Sequence, residues 1–250
     1  MELLVSNDDG IDSPGIQALA RGLEALGRVW VVAPESERSA QSHALTMHKP
    51  LRAAKRGERQ WAVSGTPADC VYFALHHVMP DAPKVVVSGI NNGSNLGNDV
   101  FYSGTVAAAM EACFQGVTGV AVSLHKQPGD TVRHWETAVA VALRVVGHVV
   151  ANELPRRMVF NVNVPNVPLE DLKGLLAAVL GERRYAPLVS LRTDPRGREY
   201  FWIGGEHEEF VDVPGSDGPA VEQGWATVTP MFPDVTMTSF MGELRRWTDG

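Results

Sequence analysis

The chain has 250 residues, 44% of them hydrophobic, and a net charge of −7, enough to bury one large core or two small ones. The acidic balance and the absence of a basic stripe argue against a nucleic-acid polymer or an anionic membrane as partner, whereas a small anionic substrate stays compatible because a metal reverses the local field. Cys70 and Cys113 fall in apolar helical patterns without a CxxC, which predicts buried, reduced thiols in a cytoplasmic protein. Met1-Glu2 leads straight into the first strand, so no signal peptide is expected. The longest apolar stretch, 138–150, is broken by Arg144 and His148 and is too short to span a bilayer.

Leu3-Leu4-Val5 reads as a buried strand that breaks into Ser6-Asn7-Asp8-Asp9-Gly10 and then Ile11-Asp12-Ser13-Pro14-Gly15. A strand ending in two carboxylates, a Gly turn and a helix-opening Pro is the layout of an open α/β sheet, where ligands sit beyond the carboxyl ends of strands. An Asp after a strand often caps the next helix or turn. Here Ser13, directly before Pro14, is better placed for that task, which leaves Asp8 and Asp9 without a structural one. Adjacent carboxylates repel, so a divalent metal is expected between them.

Ile16, Leu19, Ala20, Leu23 and Leu26 then recur at helical spacing, with Gly27 as a stop. A strand over 29–33 completes a right-handed βαβ unit. The polar loop 35–43 comes next, at the same sheet edge. Its composition fits a solvated loop; a functional role would bring Ser39 or His43 toward Asp8 and Asp9. Residues 45–54 and 60–63 read as short strands around Lys55-Arg56-Gly57. Thr66, Pro67 and Asp69 predict a capping box opening a helix to about residue 77, with His76 and His77 at its negative end. Val85-Val86-Val87 is another buried strand, breaking at Ser88 into a Gly- and Asn-rich loop that runs to Asp99. Asn side-chain oxygens suit hard cations, and a long irregular loop at a strand end is commonly functional.

Ser103-Gly104-Thr105 opens a helix of small residues that stops at Gly116. Its N-terminus is either simply capped by Ser103 or a phosphate site. A strand over 120–124 comes after it. A long helix is predicted from Asp130, with Trp135, Ala138, Val139, Ala142, Leu143, Val146, Val149 and Val150 on its apolar side, then a strand over 158–164 closed by Pro165. Regular alternation to this point predicts a mostly parallel sheet. After Pro165 strands dominate. Residues 188–192 and 199–203 flank the turn 193–197 as a hairpin arm, 210–217 reads as loop, and 226–229 as a strand. The tail carries Met237, Phe240, Met241 and Leu244 at helical spacing and buries them on its own domain or on a second subunit. The expected organisation is a metal-bearing α/β core over 1–165 and a β-rich, oligomerising extension over 166–250.

Several phosphate motifs are absent: no GxGxxG after the first strand, no GxxxxGK[ST], no DxDx[TV] and no GxSxG. The motifs that are present resemble those of the SurE family (survival protein E) of metal-dependent 5′/3′-nucleotidases. The matching pieces are Ser6-Asn7-Asp8-Asp9-Gly10, Arg38-Ser39, Gly65-Thr66-Pro67-Ala68-Asp69-Cys70-Val71, and Val87-Ser88-Gly89-Ile90-Asn91 with Gly93, Asn95 and Gly97. Tyr102-Ser103-Gly104-Thr105-Val106, Phe160-Asn161-Val162-Asn163-Val164-Pro165 and Thr227-Val228-Thr229-Pro230 carry the resemblance, in order, along nearly the whole chain. Ala40 departs from the pattern, where the family often has Gly; the Ser39 hydroxyl is retained.

The resemblance implies a Rossmann-like three-layer α/β/α core with a hairpin arm and a C-terminal tail used in homodimers and sometimes tetramers. It also implies four ligands for one Mg²⁺ or Mn²⁺, Asp8, Asp9, Ser39 and Asn91. Asn95 with the Ser103-Gly104-Thr105 helix start then holds the phosphate of a nucleoside monophosphate. Such a metal neutralises phosphoryl charge and favours hydroxide near neutral pH, while Asp8 or Asp9 orients the water; neither His43 nor His125 is assigned as leaving-group acid. Two rivals are a non-hydrolytic nucleotide sensor using the same pocket and a receiver domain with Asp8 and Asp9 as its acidic pair, the latter disfavoured by length and by the Asn-rich loop.

Overall fold

The structure is a computed structural model describing residues 1–155, 158–205, 207–211 and 213–248. In chain order the first part comprises β1 (Glu2–Ser6), α1 (Pro14–Leu23), β2 (Arg28–Pro34), β3 (Ala53–Gly57), β4 (Gln60–Val63), α2 (Pro67–Phe73), β5 (Val85–Asn91), α3 (Gly104–Phe114), β6 (Thr118–His125), α4 (Trp135–Ala151) and β7 (Val159–Pro165). The remainder comprises β8 (Leu175–Ala177), β9 (Arg183–Tyr185), β10 (Leu188–Thr193), β11 (Glu199–Gly204), β12 (His207–Phe210), α5 (Asp217–Glu222), β13 (Ala226–Met231) and α6 (Met241–Thr248).

A nine-stranded sheet runs in the order β3-β4-β2-β1-β5-β6-β7-β13-β8. Its central six strands, β4 to β7 in that order, are all parallel, while β3 and β13 pair antiparallel to their inner neighbours. Strands covered on both faces need apolar residues throughout, which is why Leu3-Leu4-Val5 and Val85-Val86-Val87 are wholly buried. Leu3, Val5, Val85 and Val87 pack under α1 and α4. Leu4, Val32 and Val86 pack under α2, and Ala121 and Val159 under α3. This is the three-layer α/β/α fold with a mostly parallel sheet. The hairpin arm forms as the sequence indicates, β10 pairing antiparallel with β11 from Leu188 opposite Gly204 to Thr193 opposite Glu199.

Local signals are realised closely at the second helix. The Thr66 hydroxyl accepts from the Asp69 amide at 3.1 Å while the Asp69 carboxylate accepts from the Thr66 amide at 2.8 Å, the reciprocal capping box. α2 then gives way to a π-helical turn over Ala74–Val78 that carries His76 and His77. Cys70 and Cys113 are both buried. No helix among the described residues is long and apolar enough to cross a membrane.

Several expectations change. Residues 45–52 are not strand, and Lys55-Arg56-Gly57 belongs to β3 instead of a turn. The helix expected from Asp130 begins at Trp135, because the Asp130 carboxylate is engaged by the Gln127 amide and Asn166 Nδ2 in a turn ahead of it. Ser88–Asn91 continues β5 instead of opening the loop. The region 210–217, of which Asp212 lies outside the described residues, ends in the start of α5. Ser13 holds the N-cap position of α1 without a side-chain bond to that helix; its hydroxyl accepts from Asn7 Nδ2 at 2.8 Å instead.

Candidate metal and phosphate site

The site gathers at the carboxyl edge of the sheet, where β1, β2 and β5 end side by side. Asp8 lies just past β1 and is only 5% exposed. The Thr105 hydroxyl donates to its Oδ1 at 2.6 Å, joining the end of β1 to the first turn of α3. Gly104 lies directly against the same carboxylate: a Cβ built there would sit 2.8 Å from Asp8 Cβ, 3.0 Å from its Oδ2 and 3.2 Å from Pro67 Cγ. The N-terminus of α3 therefore faces Asp8 without an intervening side chain. Ser103 caps that helix, its hydroxyl accepting from the Val106 amide at 3.0 Å.

Burial pushes the Asp8 carboxyl up to about 6, against the Thr105 hydrogen bond that lowers it and with the neighbouring Asp9 raising it. Asp9, whose Oδ2 accepts from the Asn92 amide at 3.0 Å, is likewise raised, by burial first, with Glu37 pushing upward and the Asn92 bond and Lys126 pulling down. Two carboxylates thus lie where ionisation is disfavoured, and Lys126 is the cation felt by Asp9.

The loop after β2 is fastened to this edge by the Arg38 amide, which donates to the Asp8 carbonyl at 2.7 Å. Ser39 is the next residue, and its hydroxyl donates to the Glu37 carboxylate at 2.7 Å. Asn91 ends β5. Its Nδ2 donates to the Gly93 carbonyl at 2.7 Å, which commits the amide's donor side and leaves Oδ1, the atom a hard cation needs, on the other. Gly89, at φ 137°, permits the irregular pairing of β5 with β6 just before Asn91; a Cβ there would strike the Val122 carbonyl.

Asn95 is buried deeper. Its amide donates to Asn163 Oδ1, its Nδ2 to Ser123 Oγ at 2.7 Å, and its carbonyl accepts from Asn161 and Asn163 Nδ2. His43, the alternative to Ser39 on composition, pairs with Glu111 at 2.7 Å and stacks on Phe114 along the flank of α3. His125 ends β6, buried, with Gln127 Nε2 at 3.2 Å. Glu37 and Lys126, which share the field of Asp9, are missed by sequence reasoning; a charged residue a few positions past a strand end is the signal that marks them.

Among the described residues no cluster of three or more His, Cys, Asp or Glu is placed to hold a metal. The oxygens near this edge are of a different kind, the carboxylates of Asp8 and Asp9 with the Ser39 hydroxyl on the next loop and the Asn91 amide at the end of β5. All-oxygen ligation of that sort fits Mg²⁺ or Mn²⁺, and a bound cation would offset the ionisation penalty on the acidic pair.

Fold and site define an α/β protein that sets a buried carboxylate, with a second beside it, against a helix N-terminus at a parallel-sheet edge. A family model, "Survival protein SurE", matches residues 3–187. The chain is 45% identical over 247 residues to the 5′-nucleotidase SurE of Pelobacter propionicus, covering 99% of both chains. It is 47% identical over 249 residues to that of Moorella thermoacetica, covering 98% of this chain and 95% of the other. The crystal structure of SurE protein from Aquifex aeolicus superposes with a TM-score of 0.87 at 37% identity, covering all of both chains. The chain belongs to the SurE family.

Proposed function

We propose that this chain is a divalent-metal-dependent phosphatase that hydrolyses nucleoside 5′-monophosphates, and 3′-monophosphates, to nucleoside and inorganic phosphate. The observation that carries the reading is the direct abutment of buried Asp8 on the α3 N-terminus through Gly104 and Thr105. A carboxylate that attracts a cation and amides that attract an anion meet there. The names of the relatives, 5′-nucleotidase SurE, support both the reaction and the 5′ position.

In this reading Asp8, Asp9, Ser39 and Asn91 hold one Mg²⁺ or Mn²⁺. Such a cation supplies charge neutralisation at the phosphoryl group and acidifies water. The amides at the start of α3, with Asn95, Ser103, Gly104 and Thr105, grip the phosphate oxygens, and the ionised acidic pair orients the attacking water. Water oxygen bonds to phosphorus as the ester P–O bond breaks, and the departing ribose oxygen takes a proton. Phosphoryl transfer asks mainly for such positioning and neutralisation. The test is phosphate release from AMP, GMP and their 3′ isomers with Mn²⁺ or Mg²⁺ and with EDTA. Metal-dependent release is expected; nucleotide binding without release would make the protein a sensor.

Cation binding should itself depend on pH. Asp8, at about 6 without a cation, must give up its proton to bind one. Mn²⁺ affinity is therefore flat above pH 7 and falls as pH drops through 6, with proton uptake by buffer on binding at about pH 5.5 and almost none at about pH 7.5. Calorimetry in two buffers of different ionisation enthalpy reads this directly; pH-independent affinity from 5 to 8 would remove Asp8 from the ligand set.

The extension beyond Pro165 serves assembly in this reading. Ile203 on the hairpin and Val235 in the tail are 88% and 82% exposed, and α6 presents Leu244 and Trp247 without a buried residue. Such apolar surface fits a cytoplasmic homodimer, or a tetramer when the hairpins also pair.

A further inference from the structure

The extension does something else as well. The segment that carries Asn95 runs from Gly93 to Asp99 between β5 and α3, and its anchors are shared between β6 and β7 on one side and the far end of the chain on the other. Asp217, the first residue of α5, is fully buried. Its Oδ2 accepts from the Gly97 amide at 2.9 Å, and its Oδ1 accepts from the Gly181 amide at 3.0 Å and the Gly218 amide at 2.9 Å. One carboxylate thus ties three separate stretches of backbone.

The contact is close enough to demand particular residues. Gly97 has φ 53°, and a Cβ on it would lie 2.5 Å from the Gly181 carbonyl oxygen. Next to it, Arg183 Nη1 donates to Asp99 Oδ2 at 2.9 Å, the Tyr185 hydroxyl to the same oxygen at 2.6 Å, and the Arg183 amide to Asn98 Oδ1 at 2.8 Å. The opposite side of the segment rests on Asn161 and Asn163 of β7 through the Asn95 backbone.

A buried carboxylate is costly unless its lone pairs are filled. Three amide donors fill these, and none of the three belongs to the cation site. Burial still raises the Asp217 carboxyl, against those three bonds and a fourth from its own backbone amide. An apolar side chain at this position would leave the three glycine amides without acceptors. The carboxylate adds a fixed, directional hold on the Gly97 amide, two residues from Asn95.

We propose that Asp217 is a positioning residue for phosphate recognition: by holding the Gly97 amide it sets the Gly93–Asp99 segment, and with it Asn95, at the phosphate site. The Arg183–Asp99 pair secures the same segment two residues further on. The inference rests on Asn95 being a phosphate ligand, and it makes the extension part of the site's rigidity as well as its assembly surface.

The experiment compares Asp217→Asn, Asp99→Asn and Asn95→Ala in the full-length protein. The readouts are the inhibition constant of inorganic phosphate, KM and kcat for AMP, the Mn²⁺ dissociation constant and the thermal midpoint. Asp217→Asn places an N–H₂ against backbone donors, so one hold is lost with the shape conserved. It is expected to raise KM and the phosphate constant about 10-fold, since small misplacements of binding groups are felt strongly, while Mn²⁺ affinity stays within about twofold. Asp99→Asn should act in the same direction and more weakly, and it decides the matter if Asp217→Asn does not fold. Unchanged phosphate inhibition in folded Asp217→Asn, or in Asp99→Asn when it alone folds, overturns the proposal. So does a parallel loss of Mn²⁺ affinity, which would mark a general structural defect. If Asn95→Ala also leaves phosphate inhibition unchanged, the phosphate role of Asn95 has failed; if Asn95→Ala weakens inhibition and Asp217→Asn does not, only the positioning role has.

Discussion

Replacing Asp8 by Asn is expected to lower kcat/KM for AMP by about two orders of magnitude or more, and Asp9→Asn by a similar factor, because each removes charge at the cation. Both substitutions keep the side-chain shape, and the amide oxygen introduced by Asp8→Asn can still accept the Thr105 hydroxyl, so the loss reports charge. The same Asp8→Asn protein should be more stable without metal than the parent at pH 7. The Asp8 carboxyl rises from 3.8 to about 6 on folding. A raised acid disfavours the folded state only once ionised there: the penalty is absent below pH 3.8, grows between 3.8 and about 6, and is complete above that range. A shift of this size corresponds to roughly 3 kcal/mol, which an amide does not incur. Activity falling while metal-free stability rises is the signature of a group kept for its chemistry. Parent-like turnover in either variant, with metal saturating, would remove that residue from the mechanism.

Gly104→Ala should be nearly as damaging, although it adds a single methyl group and places a better helix former in the first turn of α3. The new Cβ meets Asp8 Cβ at 2.8 Å and Pro67 Cγ at 3.2 Å. Neither is the far end of a flexible chain: one leaves the end of β1 and the other is the ring opening α2. The α3 N-terminus and Asp8 must therefore part, and a displacement near ~1 Å can lower rate by about 100-fold. We expect kcat/KM to drop on that scale with Mn²⁺ affinity falling in step. Gly147→Ala, in the middle of α4 with no atom within 4 Å of its added carbon, is the control; it should leave kinetics unchanged and raise stability by up to about 1 kcal/mol. Equal kinetics for both alanine variants would mean that the abutment has no functional weight.

The features legible in the sequence are those written in adjacent residues. The break of an apolar run into Asp8-Asp9, the Thr66–Asp69 box and the hairpin strands read at 188–192 and 199–203 each announce themselves within a few positions, and each forms, the hairpin strands one residue longer. The parallel sheet arises from repeated strand–helix alternation. Boundaries governed by distant partners are less legible. Asp130 looks like a helix start, yet Asn166, on the far side of α4 and β7, draws its carboxylate into a turn. The six residues of α5 contain Gly218 and Pro219, which locally read as loop. The site itself is assembled from contacts that no spacing discloses, Thr105 with Asp8 and the Asn92 amide with Asp9. Ser39 and Asn91 stand out only by likeness to a family, since one polar loop and several asparagines offer equivalent candidates.

The antiparallel placement of β13 beside β7 has a consequence during synthesis. β7 ends at Pro165, and the strand that covers its flank ends only at Met231. Emerging from the ribosome at about 5–20 residues per second, the nascent protein displays an unprotected row of peptide groups for several seconds. Premature pairing with a neighbouring nascent chain is the hazard of that interval, so termination before Met231 should yield insoluble fragments instead of a smaller working enzyme.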